Sequence, residues 1–591
     1  MNIQAKSIQV AKIGPTWLFR KLSNRQFLMV GAIIVGLWAG LTAVLLKVSV
    51  HYLLESLASV AQDHPWIYFV SPTVGILFTY LFIRFLLNGD LAKGTSHVLL
   101  AIAKKSSFLP RKEVYAHVAT SVMTVGMGGS AGLESPIVQT GSAIGATFAS
   151  FFPVGYRDRT LLLACGAAAG IATAFNAPIA GVLFALEVLL VDISITAFVP
   201  LLIAGATGAL CSKIILNEAI LLSFKNLSDF DYHNLPYYIL LGAACGLISV
   251  YYIRVTIRSD RFFKKVFKND LARLLVGGAL LGSLIYTFPA LLGEGYVAIK
   301  SMALINPERL FLGSPLEGFF TQTQWVLALA ILLIGFVKVF AVSFTLNAGG
   351  NGGNFAPSLF VGACLGFSFA LLINLSGLTF LPPSHFCLVA MAGVLTGIFH
   401  SPLTAIFLIA EITGGYELII PLMIVSALST AMSRYMTDSL DDAKLKEGAV
   451  SISIDKDAHV LSGLTLAGFI EKDFVSVRLH TDLRTLVEAV ARSKRNIFPV
   501  LDLEDKLVGI ITLEDIREIM FQTDLYDTTL VNQLMRKPVV TAELNEGMGS
   551  VMEKFDKTGV WNIPVLHEDK YVGFISKSRI FSNYRDRLKN E

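Results

Sequence analysis

Glu134 is a carboxylate held between glycine and proline in otherwise apolar sequence, and its surroundings occur twice. The phrase Gly132-Leu133-Glu134-Ser135-Pro136, then Gly141 and Gly145, is matched by Gly353-Asn354-Phe355-Ala356-Pro357, then Gly362 and Gly366. Proline is tolerated in the first turn of a helix, and glycine lets backbone come close to a ligand. Each phrase therefore reads as a helix that starts within the apolar region, its unpaired N–H groups and positive dipole end facing a cavity. Such a place takes an anion. Gly/Pro-interrupted apolar segments at matching positions of two halves mark the substrate site of a transporter. A carboxylate at one of these helix starts is costly unless it faces a cavity and meets N–H donors there, so Glu134 and an anion want the same place.

The elements that position these residues are also duplicated. Gly166, Gly170, Pro178 and Glu187 are answered by Gly393, Gly397, Pro402 and Glu411, with nine residues from Pro to Glu in each copy. Two repeats follow, about 26–217 and 235–438, built from one unit. Glu187 and Glu411 are expected to cap or bridge helices. Gly141, Gly145, Gly166, Gly170, Gly362 and Gly366 are expected to let helices pack closely, as small residues do in lipid. The runs Gly126-Met-Gly128-Gly129-Ser-Ala-Gly132 and Gly349-Gly350-Asn-Gly352-Gly353 are too rich in glycine for helix interior.

Of 591 residues, 54% are hydrophobic and 16% charged, and the mean hydropathy is +0.63. These values define an integral membrane protein. Apolar stretches such as Phe27 to Leu46, Ile67 to Leu86, Tyr238 to Ile253, Leu274 to Leu292 and Trp325 to Phe344 suit spanning or dipping helices. Proline breaks favour tilted, re-entrant helices, and the dyad alternation of a β-barrel is missing. Lys6, Lys12, Arg20, Lys21 and Arg25 in residues 1–25, with no acid among them, place the N-terminus in the cytoplasm by the positive-inside rule. The apolar run that follows is too long for a secretory signal and reads as a first helix. Cys165, Cys211, Cys245, Cys364 and Cys387 lie in apolar segments without paired spacing, as buried small hydrophobes and not metal ligands. The sequence has no basic stripe for nucleic acid. It also lacks a Ser/His/Asp set, a metal-ligand cluster and a phosphate loop, which argues against an enzyme.

The composition changes after Tyr435. A linker is expected at 439–460, between a membrane domain of residues 26–438 and a soluble tail of residues 461–591. The tail repeats internally at about 461–525 and 530–591. Ile497-Phe-Pro499-Val-Leu, then Leu507-Val-Gly509-Ile-Ile-Thr512-Leu-Glu-Asp515, matches Asn562-Ile-Pro564-Val-Leu, then Tyr571-Val-Gly573-Phe-Ile-Ser576-Lys-Ser-Arg579. Each copy reads strand, charged turn, strand, helix.

The membrane phrases resemble those of the CLC family of chloride channels and chloride/proton exchangers. Gly132-Leu133-Glu134-Ser135-Pro136 is similar to its Gly-Arg-Glu-Gly-Pro motif, Gly353-Asn354-Phe355-Ala356-Pro357 to its Gly-x-Phe-x-Pro motif, and Cys165-Gly166 through Asn176-Ala-Pro178 to a third segment. The tail resembles a pair of CBS domains. The resemblance implies an α-helical polytopic membrane protein of inverted-repeat fold with broken re-entrant helices, a cytoplasmic α/β CBS pair, two-fold dimerism and a separate pore in each subunit. It further implies that ionised Glu134 occupies the outer anion site and swings away when protonated, as gate and, in exchangers, proton carrier.

The same resemblance nominates further residues. Gly132, Leu133, Ser135, Asn354, Phe355 and Ala356 join the anion site, with backbone N–H groups of Phe355 and Ala356 facing the central anion and the ring of Phe355 walling the path. Gly94-Thr95-Ser96-His97-Val98 stands where the family has Gly-Ser-Gly-Ile-Pro. Thr95 is the hydroxyl chosen for the central anion, with Lys93 and Ser96 as other registers and His97 as an ordinary polar residue. Asp441 falls where the family has a central tyrosine, with Tyr435 as a poorer stand-in. Val188 stands where exchangers carry a second acid, as in the channel branch.

In the CBS pattern Thr512 and Asp515 contact nucleotide phosphate and ribose, so ATP or another adenine nucleotide is the candidate ligand, although Arg579 replaces the acid in the second copy. A tail that only dimerises is the plainer reading. The expected function is passage of chloride and related small anions, a channel being favoured over a proton-coupled chloride or fluoride antiporter, with a nucleotide sensor as the rival from another class.

Overall fold

The computed structural model describes residues 22–89, 91–104, 107–190, 195–216, 230–304, 306–447 and 466–580. The basic residues Lys6, Lys12, Arg20 and Lys21, most of the expected linker, and the ends of the expected tail lie outside them. The chain divides into two compact units, Met1–Ile452 and Ser453–Glu591.

Among the described residues of the first unit, nine helices are long and apolar enough to cross a membrane. The first repeat runs α1 (Asn24–Asp63), α2 (Ile67–Leu86), α3 (Thr95–Lys104), α4 (Glu113–Gly126), α5 (Glu134–Ser150), α6 (Tyr156–Phe175), α7 (Pro178–Phe184) and α8 (Ile195–Leu216). The second runs α9 (Leu235–Val266), α10 (Asp270–Thr287), a short α11 (Tyr296–Ala303), α12 (Gln324–Asn347), α13 (Phe355–Ser376), α14 (Pro383–Phe399), α15 (Pro402–Thr413) and α16 (Ile419–Met436), followed by α17 (Leu440–Glu447).

The duplication reaches single residues. Helix α6 ends on Asn176 at φ 52° and α14 on His400 at φ 56°, both left-handed, and each is followed within two residues by the proline that starts the next helix. Polar residues of this kind are the ones that tolerate such a cap. Helices α5 and α6 meet through glycine: a methyl added to Gly141 would stand 2.2 Å from the carbonyl oxygen of Gly166, and one on Gly166 1.9 Å from that of Gly141. In the second repeat a methyl on Gly366 of α13 would stand 2.0 Å from the carbonyl oxygen of Phe386 in α14. Backbone packed against backbone lets these helices hold one another without a hydrophobic driving force, as lipid requires. All five cysteines are free and buried.

In the second unit two like modules repeat. Strands β1 (Val477–Arg478), β2 (Ile497–Leu501) and β3 (Leu507–Thr512) form one sheet in that order, β1 parallel and β3 antiparallel to β2. The strands β4 (Ala542–Glu543), β5 (Asn562–His567) and β6 (Lys570–Ser576) repeat the arrangement. Their helices, α18 (Leu483–Arg492) and α21 (Met548–Thr558), each follow the first strand of their module, and short α19 (Leu513–Ile516) and α20 (Val531–Leu534) lie between them.

Candidate functional site

The two Gly/Pro phrases are joined backbone to backbone. Gly132 N–H donates to the carbonyl of Gly353 at 2.9 Å, and Gly353 N–H returns a bond to Gly132 at 2.7 Å. This bridge ties the start of α5 in one repeat to the start of α13 in the other. A methyl on Gly353 would lie 2.8 Å from the Cβ of Ser135, so the approach depends on glycine there, whereas one on Gly132 would lie 2.2 Å from Glu134 Oε2, the end of a flexible side chain.

Glu134 is the first residue of α5 and only 3% exposed. Its Oε1 accepts the hydroxyl of Tyr296 at 2.6 Å and its Oε2 the N–H of Ala356 at 3.3 Å. The carboxylate of one repeat thus takes a helix-start donor of the other, which is the place an anion would want. Of the remaining donors, Gly132 N–H is spent on the bridge and Leu133 N–H donates to Glu294 Oε1 at 3.3 Å.

A cavity of about 550 Å³ takes Glu134 into its lining. Gly94, Thr95, Ser135, Gly353, Asn354 and Phe355 line it, together with the charged residues Asp260, Lys264, Arg273, Asp441 and Lys444. Thr95, the first residue of α3, donates through Oγ1 to Ser135 Oγ at 3.3 Å, and Gly94 just before it takes φ +93°. Lys93 Nζ donates to the carbonyls of Gly349 at 2.5 Å and Gly350 at 3.1 Å, clamping the glycine-rich run beside the cavity. The ring of Phe355 packs against Phe175 (5.7 Å), Phe184 (6.3 Å) and Phe399 (5.6 Å) between centroids, giving the path an aromatic wall. Asn354 Oδ1 accepts from the hydroxyl of buried Tyr252 at 3.1 Å. Tyr435 is 93% exposed and absent from the lining, whereas Asp441 lies in it.

Several participants escaped the sequence reading. Tyr296 and Glu294 sit in Gly293-Glu294-Gly295-Tyr296, a carboxylate flanked by glycines but without the following proline that marks Glu134. Lys338, on α12 and fully buried, bonds the carbonyls of Leu291 at 3.0 Å and Gly293 at 2.9 Å, and nothing in its apolar surroundings announced it. Apart from the anion path, His97 Nδ1 and His117 Nε2 lie 3.7 and 3.8 Å from the same oxygen of Glu113. His117 also contacts Asn351 Nδ2 at 3.4 Å, within the glycine-rich run.

In the tail, Thr512 and Asp515 hold each other: Asp515 Oδ2 accepts both the hydroxyl (2.6 Å) and the N–H (2.7 Å) of Thr512 at the start of α19. Arg536 reaches the same place, with a nitrogen 3.3 Å from Thr512 Oγ1 and another 3.6 Å from Asp515 Oδ2.

Two apolar repeats that aim helix starts at one cavity define a multi-pass membrane protein for small anions. Residues 74–434 match the family model described as "Voltage gated chloride channel", and residues 466–522 and 531–586 match that of the CBS domain. The chain belongs to the CLC family of chloride channels and transporters and carries a CBS pair. It is 29% identical over 377 residues to a "Putative chloride channel protein ClcB-like" of Ralstonia nicotianae, spanning 63% of this chain and 83% of that one. Against the "Chloride channel protein CLC-e" of Arabidopsis thaliana it is 27% identical over 569 residues, 85% and 77% of the two chains. In fold it is similar to a slow cyanobacterial Cl-/H+ antiporter, at a TM-score of 0.61 and 21% identity over 74% of this chain and 100% of the other.

Proposed function

We propose that the protein passes chloride and related small monovalent anions through a path within each subunit of a homodimer, opened when Glu134 is protonated and leaves the converging helix starts. The observation that carries this reading is the carboxylate of Glu134 at the N–H of Ala356, in the lining of the cavity. An ionised carboxylate there competes with chloride for the same donor, and neutralising it ends the competition. Thr95, Ser135, Asn354 and Phe355 line the path that the anion would follow. The termini are assigned to the cytoplasm, and the tail is assigned an adenine nucleotide at Thr512 and Asp515.

Passive conduction is the first reading, because Val188 offers no acid and Glu187 is occupied with the N–H groups of Leu403 and Thr404. Coupled exchange of protons for chloride is the second. Buried Glu113 and His117, with part-buried His97 beside them, favour it, as ionisable groups in a membrane unit next to the run that leads to Phe355. Purified protein in liposomes under opposing chloride and pH gradients separates the two. Conduction gives a reversal potential that follows chloride alone, whereas proton uptake driven by a chloride gradient establishes exchange. Glu134→Gln is expected to keep chloride flux and lose its response to acid.

A further inference from the structure

We propose that Glu294 is a second carboxylate of the gate, which takes protons from solvent and passes them to Glu134. The assignment rests on the reading of Glu134 as the gate and adds the route by which that buried group is protonated. Glu134 is 3% exposed, whereas Glu294 is only partly buried and stands outside the cavity lining. Glu294 is tied to the gate itself, because its Oε1 accepts the N–H of Leu133, the residue before Glu134. Two residues further on, Tyr296 donates its hydroxyl to Glu134 Oε1 at 2.6 Å. One short segment thus grips the gate residue from both sides.

The segment is built to stay in place. Lys338 Nζ holds it through the carbonyls of Leu291 and Gly293. Gly293 and Gly295 flank the carboxylate at φ +58° and +96°, where a side chain is strained, and a methyl on Gly295 would stand 2.6 Å from the ring of Phe360. The charged and titratable groups facing Glu294 are Glu134 on α5, Lys47 on α1 and Lys338 on α12, and Tyr296 completes the set. A proton from solvent forms an O–H bond on Glu294. That bond is then broken as one forms on Glu134, leaving Glu294 ionised and Glu134 neutral and free to leave the Ala356 N–H. An ionised Glu294 beside the gate also favours the protonated form of Glu134.

Chloride flux of the full-length protein in liposomes, measured at equal pH on both sides across the acid range, tests this. Glu294→Gln is expected to move the midpoint of acid activation to lower pH by about one unit, the shift that loss of one neighbouring charge produces. Glu294→Asp, which keeps a carboxyl, is expected to return most of it. Glu294→Ser is a second neutral replacement should the glutamine variant not fold. In a Glu134→Gln background, whose response is flat, Glu294→Gln is expected to change nothing further. A Glu294→Gln curve that overlays wild type, or an aspartate variant displaced as far as the glutamine one, overturns the relay. With Glu134→Gln flat, that failure leaves the gate standing. A Glu134→Gln protein that keeps the wild-type acid response overturns the gate, and the relay with it.

Discussion

Glu187 and Glu411 each cap a helix of the other repeat. Glu187 accepts the N–H groups of Leu403 at 3.0 Å and Thr404 at 2.7 Å and the Thr404 hydroxyl at 2.7 Å, while Glu411 accepts those of Ile179 at 3.1 Å and Ala180 at 2.8 Å. The capped helices, α15 and α7, both start at a proline, whose missing N–H leaves the next two donors to be satisfied. Replacing either glutamate by alanine orphans those donors. Loss of hydrogen bonds to a charged group costs about 1.5–3 kcal/mol. Thermal unfolding of purified protein should show both variants destabilised to a similar extent, with the acid dependence of chloride flux unchanged. A stable Glu187→Ala that altered proton movement would instead place Glu187 on a proton route.

Asp441 and Lys444 lie one turn apart on α17, both in the lining of the cavity. An acid there repels an entering anion, and solvent screens the repulsion as salt rises. Asp441→Asn is expected to raise chloride flux at low ionic strength by a few fold and to have little effect at high salt, as seen in liposome efflux at two salt concentrations. Lys444→Gln should do the reverse. Equal flux in all three proteins at low salt would remove this face of α17 from the anion route.

How far the site was legible follows from what each residue type signals. Glu134, Phe355 and Pro357 stood in a repeated Gly/Pro pattern, and repetition in apolar sequence has few causes other than paired helix starts. Glu187 and Glu411 were legible for the same reason. Glu294 and Tyr296 were not, because Gly295-Tyr296 at the start of α11 and its first-repeat counterpart Gly94-Thr95 at the start of α3, with glycine φ of +96° and +93°, share too little sequence for the repetition to show, and a lone Gly-Glu-Gly reads as an ordinary turn. Lys338 was hidden by α12, whose apolar sequence gives no hint that a lysine at its centre finds two carbonyls from another segment. The exchange of bonds between Gly132 and Gly353 joins residues more than two hundred positions apart, and no local pattern encodes that pairing.

In the tail, the hydroxyl and carboxylate nominated for nucleotide are held together and faced by Arg536. A guanidinium is a ready phosphate donor, so adenine nucleotide binding to the full-length protein should weaken on substitution at either partner. If Asp515 gives the nucleotide one hydrogen bond of neutral strength, Asp515→Ala should cost about 0.5–1.5 kcal/mol of affinity, while Arg536→Ala, which would remove a charge-assisted contact, should cost more. Calorimetry with ATP checks both. No heat at millimolar ATP with the wild-type protein would leave the tail a scaffold.

The bridge between the repeats makes two glycine substitutions act in opposite directions. A side chain at Gly353 meets the Cβ of Ser135 at 2.8 Å and its backbone nitrogen at 3.1 Å, atoms that cannot move without shifting the start of α5. Gly353→Val should therefore abolish chloride flux in a protein that still purifies as a folded species. At Gly132 the nearest obstacle is the end of a flexible side chain, Glu134 Oε2 at 2.2 Å, with Ala356 next at 3.2 Å. Gly132→Ala should push the carboxylate off its donor while leaving the helix start nearly in place. Chloride flux should then persist near neutral pH and lose most of its rise with acid, as in Glu134→Gln, although the carboxylate is still present. The pH profile of efflux from liposomes measures this directly. A Gly132→Ala protein that stayed shut at neutral pH and opened with acid as wild type does would mean that the carboxylate blocks the path from some other position.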